Sequence, residues 1–593
     1  MKRMMTTALL LTALCVAVSS CNTSAPQSTD TNEAFQTSAA ATAPAGTTVG
    51  INTADMFTER DYDTGSDDDC TVVTLGDGGI TVNGSGASAG NGTLTITAAG
   101  TYRLSGKLTS GRIVVDAESA KVHIVLDGAF VTCPGDAALH IKKADKVFLT
   151  TTGAGGSLTS SGNFPEDSKT DGAVYSKSDL TLNGAGTLTV SCESGHGIVC
   201  RDDLKITSGS YTVNAAKKGI DCKDSVRIAD GSITITSGTD GIHAENSDNA
   251  AKGFVYVGDG AVTITSGSDA VDTSGEVISD GGTFTFVTGG GTANASPHTD
   301  NGYGRPQDRD RASSDGKSAT SCKGIKSDGA ITINGGTFTI NSADDAIHTG
   351  SSFNMTGGSL TAASGDDGIH ADANVAVSDG IVEITESCEG IEGKVIEISG
   401  GKVSVTASDD GINAAGSETD GKTGKFAADP NALLHISGGS VTVNALGDGV
   451  DSNGTLLVSG GETYISGPVD AFNGSLDSSG KATVTGGTLV AAGSTGMAEN
   501  FGSDSTQCSI LCTFDGIIPG GTEILLTDSA GNILARFTPP KDYQCAVIST
   551  PDIKVGGTYT VTAGSESKTV GMTGTIYGAG SNSGFGGPGK PGR

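Results

Sequence analysis

The 593-residue chain has no tryptophan, only 4% aromatic residues, and 36 lysines and arginines against 67 aspartates and glutamates. Without indoles, a sugar platform built on aromatic stacking cannot dominate. With a net charge of −31, nucleic acid and anionic membrane surfaces are poor partners, and cations are the natural counterpart. The twelve cysteines form no paired C-x-x-C pattern, which removes a zinc site of that type. The apolar run Ala8 to Val18 is too short to span a bilayer as a mature helix.

What the chain has in abundance is glycine, 91 residues, with Thr, Ser, Val and Ile between them. That is a strand-and-turn composition. Disorder is excluded despite the charge, because apolar residues recur at fixed intervals. A phrase of carboxylate, then Gly or Ala, then Ile or Val returns as Asp345-Ala346-Ile347-His348, Asp367-Gly368-Ile369-His370, Glu389-Gly390-Ile391-Glu392 and Asp410-Gly411-Ile412-Asn413. The apolar anchor falls at 198, 220, 242, 271, 325, 347, 369, 391, 412, 450 and 472, mostly 21 or 22 residues apart. A sustained period of this length means a stack of repeats.

The rung Lys218 to Thr239 contains three short alternating segments separated by Gly, Asp or Ser turns. Ile220, Val226, Ile228, Ile233 and Ile235 point inward and Asp221, Arg227 and Thr234 outward. Three strands per 22 residues predict an all-β fold, a right-handed parallel β-helix, with handedness taken by analogy with other β-helices. Successive rungs lie ~4.8 Å apart. The outward row Thr234, Thr285, Thr339, Thr361, Glu383 and Ser404 is mostly hydroxyl. The nonapeptide period of calcium-loaded β-rolls and the leucine-rich phrase are both absent.

The chain divides into a lipoprotein-type signal (1–20), a flexible tether (21–55), an N-terminal β region and cap (56–170), the parallel β-helix (171–502), a small antiparallel β domain (503–577) and a Gly/Pro tail (578–593). Val18-Ser19-Ser20-Cys21 resembles the bacterial lipoprotein signal, with Cys21 lipidated. The expectation is an exported protein at the cell surface, in contact with the membrane only through that N-terminal lipid, and monomeric. The long intervals carry inserted loops at 245–251, 290–321 and 415–430, which flank the carboxylate face and could wall a groove. Cys200 and Cys222 sit in successive rungs, where a disulfide and two free thiols both remain open.

The carboxylates form columns. Two positions before the anchor come Asp345, Asp367, Glu389 and Asp410; three before come Asp344, Asp366, Cys388 and Asp409. In-register stacking places like charges about 5 Å apart, each pair repelling by roughly 1–4 kcal/mol depending on the local dielectric. Either the pKa values rise or a cation lies between. For an exported protein with oxygen ligands, Ca²⁺ is the expected cation, held by Asp344, Asp345, Asp366, Asp367, Glu389, Glu392, Asp409 and Asp410. Asp269 and Asp272, and Asp448 and Asp451, are weaker candidates. Lys323 is expected to neutralise Asp345 in the next rung; the weaker alternative makes Lys323 or Lys326 a base for β-elimination on uronic acids. His243, His348 and His370 follow their anchors as an outward hydrogen-bonding ladder.

The succession S-x-D-D-A-I-H, S-G-D-D-G-I-H-A-D, C-E-G-I-E-G and S-D-D-G-I-N-A-A-G resembles exported bacterial carbohydrate-binding domain-containing proteins. So do G-T-Y-R-L-S-G at Gly100–Gly106, D-L-T-L-N-G-A-G at Asp179–Gly186, T-G-G-G-T-A-N-A at Thr288–Ala295 and C-K-G-I-K-S at Cys322–Ser327. The resemblance covers about residues 70 to 565. It implies a calcium-containing β-helix similar to pectate lyases that binds cellulose and acidic sugars, with calcium at the matching D-D and E-G-I-E positions. Cys322 and Cys388 depart from the pattern. The expected function is calcium-dependent polysaccharide binding. A pectate-like lyase and a calcium-stiffened stalk or adhesin are the alternatives.

Overall fold

Alternation of apolar and polar residues puts one side of each short strand in a common core, and the repeat length brings the same side chain back to the same place. The structure, a computed structural model, describes residues 51–65, 69–295, 321–415 and 428–578. The signal 1–20, Cys21, most of the tether, most of the insertions 290–321 and 415–430, and the tail beyond Gly578 lie outside the described residues. No described helix is long and apolar enough to cross a membrane.

Three parallel ladders run the length of the coil. In the first, Ile198, Ile220, Ile242, Val271, Ile325, Ile347, Ile369, Ile391, Ile412 and Val450 pair in register, one per rung. In the second, Leu204, Val226, Val255, Val277, Ile331, Phe353 and Val375 do the same. In the third, Val213, Ile235, Ile264, Phe286, Ile340, Ala362 and Ile384 stack. All of these belong to one continuous buried core. Within it Phe284 and Phe338 stack face to face at 4.1 Å between ring centroids, a direct consequence of register. The outward hydroxyl row is also in register from Thr234 through Thr263, Thr285, Thr339 and Thr361 to Glu383 and Ser404.

The glycine before the anchor serves close approach between rungs. A Cβ on Gly390 would lie 2.2 Å from both the Gly411 carbonyl oxygen and Val405 Cγ1. The column tolerates Ala270 and Ala346 elsewhere, both fully buried.

Several sequence expectations are corrected. Phe472 is not the next anchor. It is 78% exposed, its N–H donates to Asp470 Oδ1 in a local turn, and Leu476 pairs with Val450 instead. The looser strand region before residue 171 is part of the coil, since Leu94, Ile113, Leu139, Val174 and Ile198 stack in register. Their spacings are irregular and some strands are long, Lys121–Pro134 being the extreme, so a 22-residue period does not reveal them. The ten described cysteines are free thiols, including the register pair Cys200 and Cys222.

After residue 502 the expected antiparallel strands are present, but one part is fused to the coil. Tyr543–Ser549 pairs antiparallel with the last long coil strand Ala482–Gly493 and with Ser509–Ile518. This covers an edge that would otherwise offer unpaired backbone groups. A separate four-stranded sheet contains Ile533–Phe537, Ile524–Asp528, Thr558–Ala563 and Glu566–Gly571.

The tether drawn to residue 55 ends sooner. From Ile51 the chain is docked as a strap along the outside of the second ladder, with short 3₁₀ turns at Thr53–Asp55 and Glu59–Tyr62. Ile51, Met56 and Phe57 pack on Phe254, Tyr256 and Ile278.

Candidate functional site

Two positions in each rung carry the chemistry, and both lie on the first ladder. The residue two before the anchor runs Lys218, Asp240, Asp269, Lys323, Asp345, Asp367, Glu389, Asp410 and Asp448. The residue one after it pairs in register as Asp221, His243, Asp272, Lys326, His348, His370, Glu392, Asn413, Asp451 and Asp477. A three-residue strand flanked by turns exposes the edges of both columns while its Ile or Val stays in the core.

Along the first half of the coil the carboxylates have protein cations. Asp221 accepts from Arg201 at 3.0 Å and Lys218 at 3.4 Å, and its Oδ1 lies 3.0 Å from His243 Nδ1. Burial would raise its pKa, but His243, Lys218 and Arg201 outweigh burial and hold the carboxyl well below the usual range. Lys323 Nζ donates to Asp344 at 2.9 Å and to Asp345 at 2.6 Å. Burial works against that ammonium, and the two aspartates more than reverse it, so its pKa is raised. Lys326 donates to Asp272 at 3.0 Å and is likewise held up against burial. Neither lysine has the depressed pKa that a general base requires.

The histidines have the same task. His348 Nδ1 is 2.8 Å from Asp345 Oδ2. His370 Nδ1 is 3.0 Å from Asp367 and 2.8 Å from Glu392. Burial opposes protonation of His370, yet Asp367 and Glu392 push its pKa up to about 11, while burial and the nearby carboxylates also raise Asp367, so the cluster holds its proton between the ring and the carboxylates. The His348 and His370 rings stack at 4.9 Å.

Several column carboxylates of the second half have no such partner among the described residues. Glu389 is pushed up to about 9 by burial, then by Asp367, Glu392 and Asp410. Asp448 rises to about 9 through burial and Asp410, and Asp451 to about 8 through burial, Asp477 and Asp410. Glu499 rises to about 7 through burial and Asp477. Among the described residues, no Lys, Arg or His forms an ion pair with Glu389, Asp448, Asp451, Asp477 or Glu499. Asp448 instead accepts the Gly474 N–H at 2.5 Å, and Glu389 accepts from Asn413 Nδ2 at 3.1 Å. The other polar atom of that amide, Asn413 Oδ1, is buried without a partner.

Four groups bring three potential ligand atoms within 4.8 Å of one another: Asp240, His243 and Asp272; Asp344, Asp345 and Asp366; Asp367, His370 and Glu392; and Asp410, Asp448 and Asp451. Calcium needs six to eight hard oxygen ligands. The Asp344 group already contains the Lys323 ammonium, and the Asp367 group contains the His370 ring and the proton it shares with its carboxylates. Among the described residues, the Asp410, Asp448 and Asp451 group is all oxygen, with Asp448 and Asp451 raised towards the protonated form, and this set fits the ion. Asp409 borders it, because a Cβ on Gly447 would touch Oδ1 of both Asp409 and Asp410. Thus the residues expected from sequence are brought onto one face, but the arrangement suited to a cation is shifted towards its C-terminal end. Asp477 and Glu499 were missed by sequence reading. The only signal for Asp477 is its place after Leu476, which the false anchor at Phe472 conceals.

The insertion 245–251 walls a groove beside the columns, as expected. Asn246 organises it by accepting the Asp248 and Asn249 N–H groups and donating to Asp224. The groove, about 460 Å³, is lined by His243, Glu245, Asn246, Asp272, Lys326 and Asp328 among others.

The chain belongs to the family described as carbohydrate-binding domain-containing protein, whose sequence model matches residues 90–368 and 366–530. A carbohydrate-binding domain-containing protein of Acetivibrio thermocellus is 34% identical over 139 residues, 22% of this chain and 49% of that one. The chain therefore spans about half the length of this relative. A solved polysaccharide lyase-like protein from C. thermocellum, a gadolinium derivative, is 33% identical over 37% of this chain and 92% of its own, with a TM-score of 0.36.

Proposed function

We propose that this protein binds polysaccharide along the face formed by the two charged columns, with Ca²⁺ held by Asp410, Asp448 and Asp451. The observation that carries the reading is an all-oxygen carboxylate group, in which Asp448 and Asp451 have no ion pair among the described residues, within a carbohydrate-binding family. A bound calcium would neutralise that group and leave coordination positions for the carboxylates or hydroxyls of a sugar. Acidic glycans such as polygalacturonate suit a bridging cation; a flat glycan such as cellulose suits the hydroxyl row. Lys326 and the 245–251 wall supply the other polar contacts on that face.

The test is retention on polygalacturonate and on cellulose, with calcium and with chelator, for the parent and for Asp448→Asn/Asp451→Asn. Chelator-sensitive retention that the double variant loses supports the reading. Retention indifferent to both the chelator and the substitutions refutes the calcium bridge. A lyase would require Lys323 or Lys326 to take a proton, and both are held as ammonium ions by their aspartates. Absence of unsaturated product from polyuronate is the expected outcome.

We further propose that the chain is exported and anchored through lipid on Cys21. Metabolic labelling with a fatty acid, lost in Cys21→Ala, tests this separately.

A further inference from the structure

The second ladder carries, on its outer side, a stripe unlike the rest of this acidic protein. Phe148, Thr181, Lys205, Arg227, Tyr256 and Ile278 occupy one register position in consecutive rungs. Lys146 lies beside Phe148, with its ammonium 5.3 Å from the ring centroid, and Arg227 sits 5.2 Å from the Phe254 ring. Cations set among aromatic faces are the chemistry that receives anionic sugars: rings for the sugar faces, ammonium and guanidinium groups for carboxylates.

The strap covers this stripe. Its Asp61 is completely buried, and the carboxylate receives Lys146 at 2.5 Å, Lys205 at 3.2 Å and the Thr181 hydroxyl at 2.9 Å. Asn183 and Thr207 donate to the Asp61 carbonyl. Phe57 lies 6.2 Å from the Tyr256 ring. Among the described residues Lys205 Nζ has its ion pair with Asp61, while Asp179 acts on both lysines from farther off, so lifting the strap removes the closest carboxylate from two neighbouring ammonium groups and creates a demand for another. Past the strap's end, the same side of the coil bears an open polar groove of about 330 Å³, lined by Thr64, Thr101, Arg103, Thr150 and Thr152 among others.

We propose that residues 51–63 are a built-in pseudo-ligand, and that the stripe beneath them is a second binding site, for carboxylate-bearing glycans. The glycan enters at the Arg103 groove, and one of its carboxylates replaces that of Asp61 between Lys146 and Lys205. The site lies on a different ladder from the calcium columns and needs no metal. It rests on the polysaccharide reading above only for the identity of the ligand as a glycan.

The experiment uses the full chain in excess chelator, which silences calcium-bridged binding, with polygalacturonate as probe and dextran as neutral control. Asp61→Ala is expected to bind polygalacturonate at least tenfold more tightly than the parent, and Asp61→Ala/Lys205→Gln to lose that gain. Folded Asp61→Ala, judged by an unchanged circular dichroism spectrum, with no gain overturns the proposal; so does a gain that survives in the double variant or extends to dextran. Should Asp61→Ala not fold, hydrogen exchange of parent residues 53–63 decides. Faster exchange at saturating polygalacturonate supports displacement, and unchanged or slower exchange refutes it. Calcium-dependent retention by the columns is measured in a separate arm, so either reading can fail alone.

Discussion

Removing divalent cations should make the protein less stable as pH rises from 6.5 to 8.5. Glu389, Asp448, Asp451 and Glu499 have pKa values raised to about 9, 9, 8 and 7, chiefly by burial. In the unfolded chain these groups ionise near 4. The native state therefore holds more protons than the unfolded state throughout the window, and stability falls as pH rises. Two pH units at ~1.4 kcal/mol per unit give a ceiling of ~3 kcal/mol each for Glu389 and Asp448, with less from the other two. The carboxylates are only partly enclosed, so solvent screening reduces the sum to an effect on the order of 2–3 kcal/mol. Thermal unfolding in chelator should show a midpoint lower by a few degrees at pH 8.5. Calcium should restore it at pH 8.5 and act less at pH 6.5, where binding must first expel protons. His370, raised to about 11, contributes a slope of the same sign and comparable size, because the unfolded imidazole loses its proton across this window. His140, lowered to about 4 by burial, has an effect of opposite sign that is complete below this window. Asp448→Asn/Asp451→Asn should flatten the slope and abolish the calcium effect. A midpoint in chelator that is flat or rises from pH 6.5 to 8.5 refutes the reasoning.

Three further outcomes are expected. Lys323→Ala should cost ~3–5 kcal/mol in chelator, because it strands Asp344 and Asp345, and titration calorimetry should then detect one additional calcium site; an unchanged stoichiometry would count against the ammonium standing in for a cation. Leu476→Ala should cost ~2–5 kcal/mol by denaturant unfolding, whereas Phe472→Ser should change stability by less than ~0.5 kcal/mol. Gly390→Ala should destabilise by ~1–3 kcal/mol through the clash with Gly411 and Val405, measured by the same unfolding curves.

The paired prediction at 472 and 476 shows where sequence and structure part. Ile347, Ile369 and Ile391 were legible because each must re-enter the core at the same register, and a one-residue slip would turn the strand inside out. Asp470-Ala471-Phe472 has the right letters and the right spacing, but Asp470 spends its carboxylate on a turn and the register moves on to Leu476. Local pattern cannot distinguish an aspartate that caps a turn from one that belongs to a column. The columns themselves were visible, including Asp345, Asp367, Glu389 and Asp410, since stacking follows from period. Their ionic partners were only half visible, because Lys323 reaches a neighbouring rung while Glu499 approaches from beyond the last one. Asp61 left no trace at all: its partners Lys146, Thr181 and Lys205 are 85, 120 and 144 residues away, and the strap has no period of its own.

One electrostatic problem therefore receives two solutions along the same coil. Every rung that repeats a carboxylate ~4.8 Å above the last must find positive charge or keep a proton. Between Asp221 and Glu392 the chain supplies the charge itself, through Lys218, Lys323, Lys326, His243 and His370, in the very columns that create the need. Glu389, Asp448, Asp451, Asp477 and Glu499 have no ion pair with Lys, Arg or His among the described residues, and burial raises the pKa of each. A protein under selection for stability alone could have continued the histidines and lysines, because His348 and Lys323 together hold Asp345 ionised while almost completely buried. The change from internal to missing counter-charge lies within one uninterrupted fold, with the Ile and Val ladder unaltered beneath it. The difference therefore resides in the surface chemistry, and it makes the C-terminal half of the columns the place where an external cation, and a ligand attached to it, gains most.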